Sequence, residues 1–255
     1  MKHTHLFFEP AIGRQKPENI LNREATCPFC NRPGLEGILD ERGSIIYLKN
    51  KYPVLQDAFQ TVIIETDDCD SELSVYSKNH LHTLFRFSLE KWMEMEASGD
   101  FRSVMFYKNH GPYSGGSLKH PHMQIIGLSH IDYQEHSRVE HFEGITIEEK
   151  RGVSCNISSR PRAGFTEFNV ILSDPSEIDQ MADYVQMLTH YILHHFNQRC
   201  ASYNLFFYHL DNKRMVKVVP RFVTSPLYVG YSIPQVSTNL EQVAKQIQSL
   251  YLLDR

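Results

Sequence analysis

Two imidazoles and a carboxamide fall on alternate residues in the stretch "NHGPYSGGSLKHPHMQIIGL": His120, His122 and Gln124. On an extended strand alternate side chains share a face, so these three groups would look the same way. Pro121 between them cannot donate to a ladder and marks a strand start or an edge. Directly ahead lies a loop whose Gly115 and Gly116 let backbone N–H groups approach a ligand closely, with the Ser117 hydroxyl beside them. A neutral imidazole is a competent nucleophile toward phosphorus near neutral pH, and the phosphoramidate it forms reacts onward. The non-bridging oxygens need hydrogen-bond donors, which an amide and backbone N–H groups supply without titrating. The set therefore fits nucleotidyl transfer through a covalent histidine–nucleotide intermediate. The plainer alternative is the polar face of a half-exposed strand behind a long hairpin. The loop standing directly before the paired histidines weighs against it.

A second chemical signal is "CPFC", Cys27 and Cys30, within a total of five cysteines. An odd count does not make a disulfide framework. A redox pair prefers a strand-to-helix turn, whereas "CPFCNRPG" continues into proline and glycine. Metal binding is the better reading, but two thiolates do not fill a tetrahedral zinc shell. Two more ligands must come from elsewhere in the chain.

The elements that would hold these groups follow from patterning. "SIIYLKN" (44–50) and "FQTVIIET" (59–66) read as strands, rich in β-branched and aromatic residues. A helix is expected over about 74–97, with Leu81, Leu84, Phe85, Leu89, Trp92 and Met93 on one side. "RSVMFYKN" and "HPHMQIIGL" follow as strands. The second half repeats this order: strands "VSCNISS" and "FTEFNVILS", a helix opened by Ser176, then strands "SYNLFFYHL" and "RMVKVVPRFVT". A proline precedes a strand valine by nine residues in both halves, Pro53 before Val62 and Pro161 before Val170, which supports a duplicated unit of roughly a hundred residues. A last helix is expected over about 238–253. The halves differ where chemistry would sit: the first places "HPHMQ" after its long loop, the second "KVVPR" after the short "DNKR". One active copy and one scaffold copy are inferred.

The 255 residues carry a formal charge of −4, with 41% hydrophobic and 22% charged residues. That composition allows a sizeable core and argues against broad nucleic-acid binding, which needs a basic face. No apolar run approaches the ~20 residues needed to cross a bilayer. The opening "MKHTHLFFEPAIGRQ" lacks a signal-peptide core, so a cytoplasmic location is the expectation.

"NHGPYSGGSLKHPHMQ" resembles the active-site segment of the galactose-1-phosphate uridylyltransferases and their relatives, the transferase branch of the histidine-triad (HIT) superfamily. "CPFC", "NKYP" and "VIIETDDC" match too, and the resemblance is strongest from Arg14 to Leu128. It implies an α+β fold: duplicated HIT-like β-β-α-β-β units in a mostly antiparallel half-barrel sheet with helices packed on it. Residues 1–135 would be the catalytic half with a zinc site, and 136–255 a degenerate second half plus the C-terminal helix. The resemblance makes His122 the nucleophile, with Gln124 on the α-phosphate and Asn109 and Ser117 beside it. His120 would ligate zinc with Cys27 and Cys30. The family's fourth ligand is a histidine, and that position here is Cys69, giving a Cys₃His set that suits zinc. Asn50 and Lys51 resemble the segment that contacts the ribose; a polar strand-end turn is the other reading. Arg14 resembles an early arginine that meets substrate phosphates; a solvated charge is its alternative.

The leading expectation is a zinc-containing nucleotidyltransferase. It moves a nucleoside monophosphate from a nucleotide sugar or similar diphosphate to a phosphate-bearing acceptor. A nucleotide-sugar or dinucleotide phosphorylase is the alternative enzyme, with inorganic phosphate as acceptor. A hydrolase is less favoured, because an amide at 124 cannot act as a titrating acid. A non-catalytic zinc-containing nucleotide-binding protein is the alternative from another class, and a zinc-ribbon nucleic-acid binder the weakest. Homodimers are common among relatives of this type, and a homodimer is the expected assembly.

Overall fold

The computed structural model describes residues 5–22 and 24–253. Among these, no helix is long and apolar enough to cross a membrane. They form two compact units, one running to Glu72 and resuming over Thr83–His136, the other comprising Leu73–His82 and the residues from Ser137 onward.

The first unit holds α1 (Pro10–Gly13), β1 (Ile38–Arg42), β2 (Ile45–Lys49), β3 (Ala58–Ile64), most of α2 (Lys78–Ala97), β4 (Ser103–His110) and β5 (His122–Leu128). Its strands lie side by side as β1-β2-β3-β5-β4, all neighbours antiparallel. The second unit holds β6 (Gly144–Lys150), β7 (Val153–Ser158), β8 (Phe168–Leu172), α3 (Ile178–Tyr191), β9 (Tyr203–Leu210), β10 (Lys213–Pro220), α4 (Pro226–Tyr231) and α5 (Leu240–Tyr251). Its strand order is β6-β7-β8-β10-β9, the same arrangement, again antiparallel. The α+β class and the antiparallel sheet are as expected from the sequence.

Each unit has one strand more than the β-β-α-β-β order. β1 pairs with β2 alone and is largely exposed, with Ile38 44% and Leu39 43% accessible, so no buried face imposes an alternating pattern on its sequence. β6 does show that alternation, Ile145 and Ile147 in "GITIEEK". The gain to the fold is an outer strand on each side.

The helix stripes follow the 3.6-residue period with local shifts. Leu81, Leu84, Phe85, Leu89 and Trp92 are buried in α2, but Met93 is 38% exposed and Met95 takes the inward place. The Trp92 ring is fully buried, and its Nε1–H donates to the Val104 carbonyl at 3.0 Å, tying α2 to β4. Ser176 does not cap α3. Asp174 accepts its N–H at 3.0 Å and opens a 3₁₀ turn before the helix, a short carboxylate fitting that role as well as a hydroxyl. The C-terminal end of α3 winds into a π turn over Ile192–Phe196. α5 buries Leu240, Val243, Ala244 and Ile247 but leaves Leu250 46% exposed, and Gln248 donates to the Ile147 carbonyl of β6 at 2.8 Å.

The duplicated order is present, but the proline spacing does not mark equivalent positions. In the first unit α2 lies on the Phe106 face, where Trp92 meets the Phe106 ring at 5.8 Å. Val62, in the row Leu48–Val62–Gln124–Tyr107, faces the other way. In the second unit Phe168 meets Tyr191 of α3, so Val170, two residues on in β8, lies on the helix side. A one-residue shift turns every side chain of a strand to the opposite face. The row matching Val62 is Asn156–Asn169–Lys217–Phe206. Lys217 stands where Gln124 stands, and Met215 where His122 does. "KVVPR" thus begins where "HPHMQ" ends rather than replacing it.

Candidate functional site

The first unit brings Cys27, Cys30, Cys69 and His120 together, with one ligand atom from each and all four atoms within 4.8 Å of one another. They come from three places in the chain. A 3₁₀ turn over Pro28–Cys30 closes the "CPFC" knuckle, and the Cys30 N–H reaches the Cys27 carbonyl at 3.3 Å. Cys69 follows β3 in the loop, and His120 precedes β5. The His120 Nδ1 atom lies 3.5 Å from Cys27 Sγ and 3.6 Å from Cys30 Sγ. Its Nε2 is 2.9 Å from the Thr66 carbonyl, which only accepts, so Nε2 carries the proton and the Nδ1 lone pair faces the sulfurs. His120 is fully buried, Cys27 and Cys69 half-buried.

The thiols cannot all ionise side by side. Burial raises the Cys27 thiol, but hydrogen bonding within the cluster brings it down to about 6. Burial and the neighbouring sulfurs push Cys69 up to about 12. A divalent cation reverses that penalty, because a coordinating thiol is deprotonated outright. Three sulfurs and an oriented imidazole fit a tetrahedral metal.

Beside this cluster, His122 opens β5. Its Nδ1–H donates to the His120 carbonyl at 2.8 Å, which leaves Nε2 as the lone-pair nitrogen. Burial, opposed in part by that hydrogen bond, lowers its pKa to about 4, so the ring is neutral near pH 7. Phe29, from inside "CPFC", sets its ring against both imidazoles, 5.8 Å from His120 and 5.5 Å from His122. Phe29 and Leu35 also pack on the buried Ile46, Leu48, Val62 and Ile64, so the knuckle is seated on the strands.

His122 and Gln124 line a cavity of about 590 Å³. Asn109 lines it from the end of β4, Gly115, Gly116 and Ser117 from the loop, and Asn50 and Lys51 from the turn after β2. The loop is held in shape from within and from outside. Gly111 and Gly115 take positive φ values of 81° and 84°, and the Gly116 N–H donates to Ser114 Oγ at 3.2 Å. Asn19 grips its far end, donating its N–H to the Ser117 carbonyl at 2.9 Å and accepting the Lys119 N–H at 2.7 Å. Asn50 spends its side-chain oxygen on the Tyr52 N–H at 2.9 Å. Arg14 is exposed and is not on the cavity wall; Lys16, two residues on, is, and burial lowers its pKa. Lys16, Asn19, Phe29 and Thr66 were not assigned from the sequence. Lys16 and Asn19 lie inside "GRQKPEN", and only their contacts single them out.

The chain has the fold of solved uridylyltransferase-like proteins. A solved uridylyltransferase superposes with a TM-score of 0.67 at 18% identity, covering 89% of this chain and 91% of that one. An ADP-glucose phosphorylase from Arabidopsis thaliana, solved with bound ADP-glucose, superposes with a TM-score of 0.70 at 15% identity, covering 97% and 99%. Residues 8–131 match the N-terminal domain, and 134–252 the C-terminal domain, of the family described as domain of unknown function DUF4931. A DUF4931 family protein from Bacillus cereus ATCC 10987 is 50% identical over 84% of this chain and 99% of its own, with a TM-score of 0.78. The chain belongs to the DUF4931 family. A curated di-/tripeptide transporter of Lactobacillus helveticus is 39% identical over 51 residues, and the chain spans about a tenth of that protein's length.

Proposed function

We propose that this chain is a zinc-containing nucleotidyltransferase with His122 as the nucleophile. One observation carries the reading: the His122 tautomer is set by the His120 carbonyl, so Nε2 offers a lone pair beside a cavity shared with Gln124 and the glycine loop.

In the first step Nε2 attacks the α-phosphorus of a nucleotide sugar. A P–N bond forms, the P–O bond to the β-phosphate breaks, and the sugar phosphate leaves with that electron pair. In the second step an oxygen of a phosphate-bearing acceptor attacks the same phosphorus, the P–N bond breaks, and the neutral imidazole returns. Gln124 donates to a non-bridging oxygen, with the N–H groups around Gly115 and Gly116 and the Ser117 hydroxyl. Asn109 supports the loop, Asn50 and Lys51 take the ribose side, and Lys16, which lines the cavity where Arg14 does not, meets substrate phosphates. Cys27, Cys30, Cys69 and His120 would hold zinc, which supplies structural bracing for the segment that presents His122. The residues before 136 form the catalytic half, those after it a scaffold copy. A homodimer in the cytoplasm is part of the same proposal.

The test is intact-mass spectrometry after incubation with UDP-glucose or ADP-glucose. A gain of one nucleoside monophosphate, absent in His122→Asn, is the expected result. No adduct from any nucleotide donor would overturn the reading. Adding galactose-1-phosphate or inorganic phosphate to the isolated adduct separates a transferase from a phosphorylase by which one discharges it.

A further inference from the structure

The second unit has a cavity of its own, of about 450 Å³. Lys217, Phe206 and Tyr208 line it on the face of β9 and β10 that corresponds to the one carrying His122 and Gln124 in the first unit, and Phe196 lines it from the turn after α3. The same positions line both. Lys217 stands for Gln124, Phe206 for Tyr107, Tyr208 for Asn109 and Glu167 for Gln60.

Charge is matched as well. Lys16, Lys49 and Lys51 face Glu36 around the first cavity. Arg162, Lys217 and Arg221 face Glu167 around the second, the one carboxylate among its described lining residues. Lys217 is occupied: it reaches the His141 carbonyl at 2.7 Å, Asn169 Oδ1 at 2.8 Å and Glu167 at 3.1 Å. Glu167 in turn accepts the N–H groups of Arg162, Ala163 and Gly164 at 2.8–3.0 Å. This pair is a satisfied floor. The Arg162 guanidinium reaches the Tyr208 hydroxyl at 3.4 Å and that of Arg221 reaches Asn204 Oδ1 at 2.8 Å. With three cationic side chains to one carboxylate, the described lining carries net positive charge. Phe206, Phe222 and Tyr228 also line the cavity, flat rings suited to stacking on a base.

What the cavity lacks is a nucleophile of the His122 kind. Met215 occupies that position, and no histidine or cysteine is among the described lining residues. We propose that this cavity is a second, non-catalytic site for a nucleoside phosphate, with the phosphate at Arg162 and Arg221 and the base against the aromatic wall. The duplicated unit has kept the binding half of the chemistry and lost the reacting half.

The experiment is equilibrium dialysis of the full chain, carrying His122→Asn so that nothing is consumed. AMP and UMP are the nucleotide probes, with uridine and inorganic phosphate as comparators. Two nucleotides per chain are expected, falling to one in Arg162→Ala/Arg221→Ala. The arginine pair placed in the otherwise native chain should leave adduct formation at His122 unchanged. Phe222→Ala weakens the second site about tenfold and serves if the arginine variant misfolds. A single nucleotide per chain, indifferent to the arginines and to Phe222, overturns the proposal. So does binding of uridine or inorganic phosphate as tight as that of the nucleotides. An arginine-dependent nucleotide without an adduct at His122 sinks the proposed reaction and leaves this site standing; an adduct without a second nucleotide does the reverse.

Discussion

The carbonyl oxygen of His120 lies 2.8 Å from Nδ1 of His122, while the His120 ring faces three cysteine sulfurs. One residue thus faces the thiol cluster with its side chain and orients the adjacent imidazole with its backbone. The thiol cluster and the His122 ring are coupled through a single peptide unit. That coupling leads to the first expectation.

His122→Asn removes the imidazole lone pair beside the cavity and keeps a polar side chain of smaller volume in the same recess. Turnover should fall at least ~10³-fold, as when a covalent nucleophile is deleted. Circular dichroism and zinc content should stay native. An Asn variant that still exchanges nucleotide at the parent rate sinks the assignment.

Cys69 completes the sulfur set. One zinc per chain is expected by atomic emission. Cys69→Ala should weaken metal retention at least ~100-fold against a chelator, since loss of a direct ligand exceeds the ~10–100-fold typical of outer partners. Cys69→His should retain zinc, because imidazole is a standard ligand. Equal zinc retention in the Ala variant would contradict the site.

Gln124 faces the cavity one step beyond His122 on the same strand face. If it steadies a non-bridging oxygen in the transition state, Gln124→Ala lowers kcat by ~10²–10³ with a smaller change in KM. Gln124→Glu should be worse, since it sets a carboxylate against a phosphate. A change in KM alone would make Gln124 a binding residue.

The buried pair Lys217–Glu167 in the second unit gives a stability test. Glu167→Gln leaves a buried ammonium without its partner and should cost ~3–5 kcal/mol in urea denaturation. The pH dependence has a definite sign. Burial opposes the Glu167 charge, but Lys217 and three N–H groups prevail and hold its pKa below the usual range. Its contribution is present above the unfolded value of about 4.3 and is lost as pH falls through the lower folded value. Wild type should therefore lose stability below about pH 4 more steeply than Glu167→Gln.

Much was legible before any coordinates. The alternating "HPHMQ", the glycine-rich loop and "CPFC" are local patterns: His122 and Gln124 do share the cavity with the loop, whereas His120, ahead of the strand, turns its ring to the thiols of "CPFC". The strands and helices of both halves could be read because period 2 and period 3.6 show wherever one face is buried. The outer strands fall outside that reading: β1 has no buried face to enforce a pattern, and β6 carries its alternation in only Ile145 and Ile147 of a short polar stretch. Arg14 and Lys16 lie two residues apart in one polar stretch, and nothing in residue type says which turns toward the cavity. The proline spacing misled by one residue, enough to turn Val170 to the helix side.

The sequence by itself determined the chemistry on offer: which side chains can attack, donate or ligate, and the duplicated order of strands and helices. Tertiary structure alone decided the meetings. Thr66 fixing the His120 ring, Phe29 wedged against two imidazoles, Asn19 clasping the loop and Lys217 meeting Asn169 and Glu167 are contacts between residues far apart in the chain. Local periodicity reports how a segment divides its faces between core and solvent. It carries no record of which distant segment covers that face, because strand pairing and helix docking are settled by packing the whole unit.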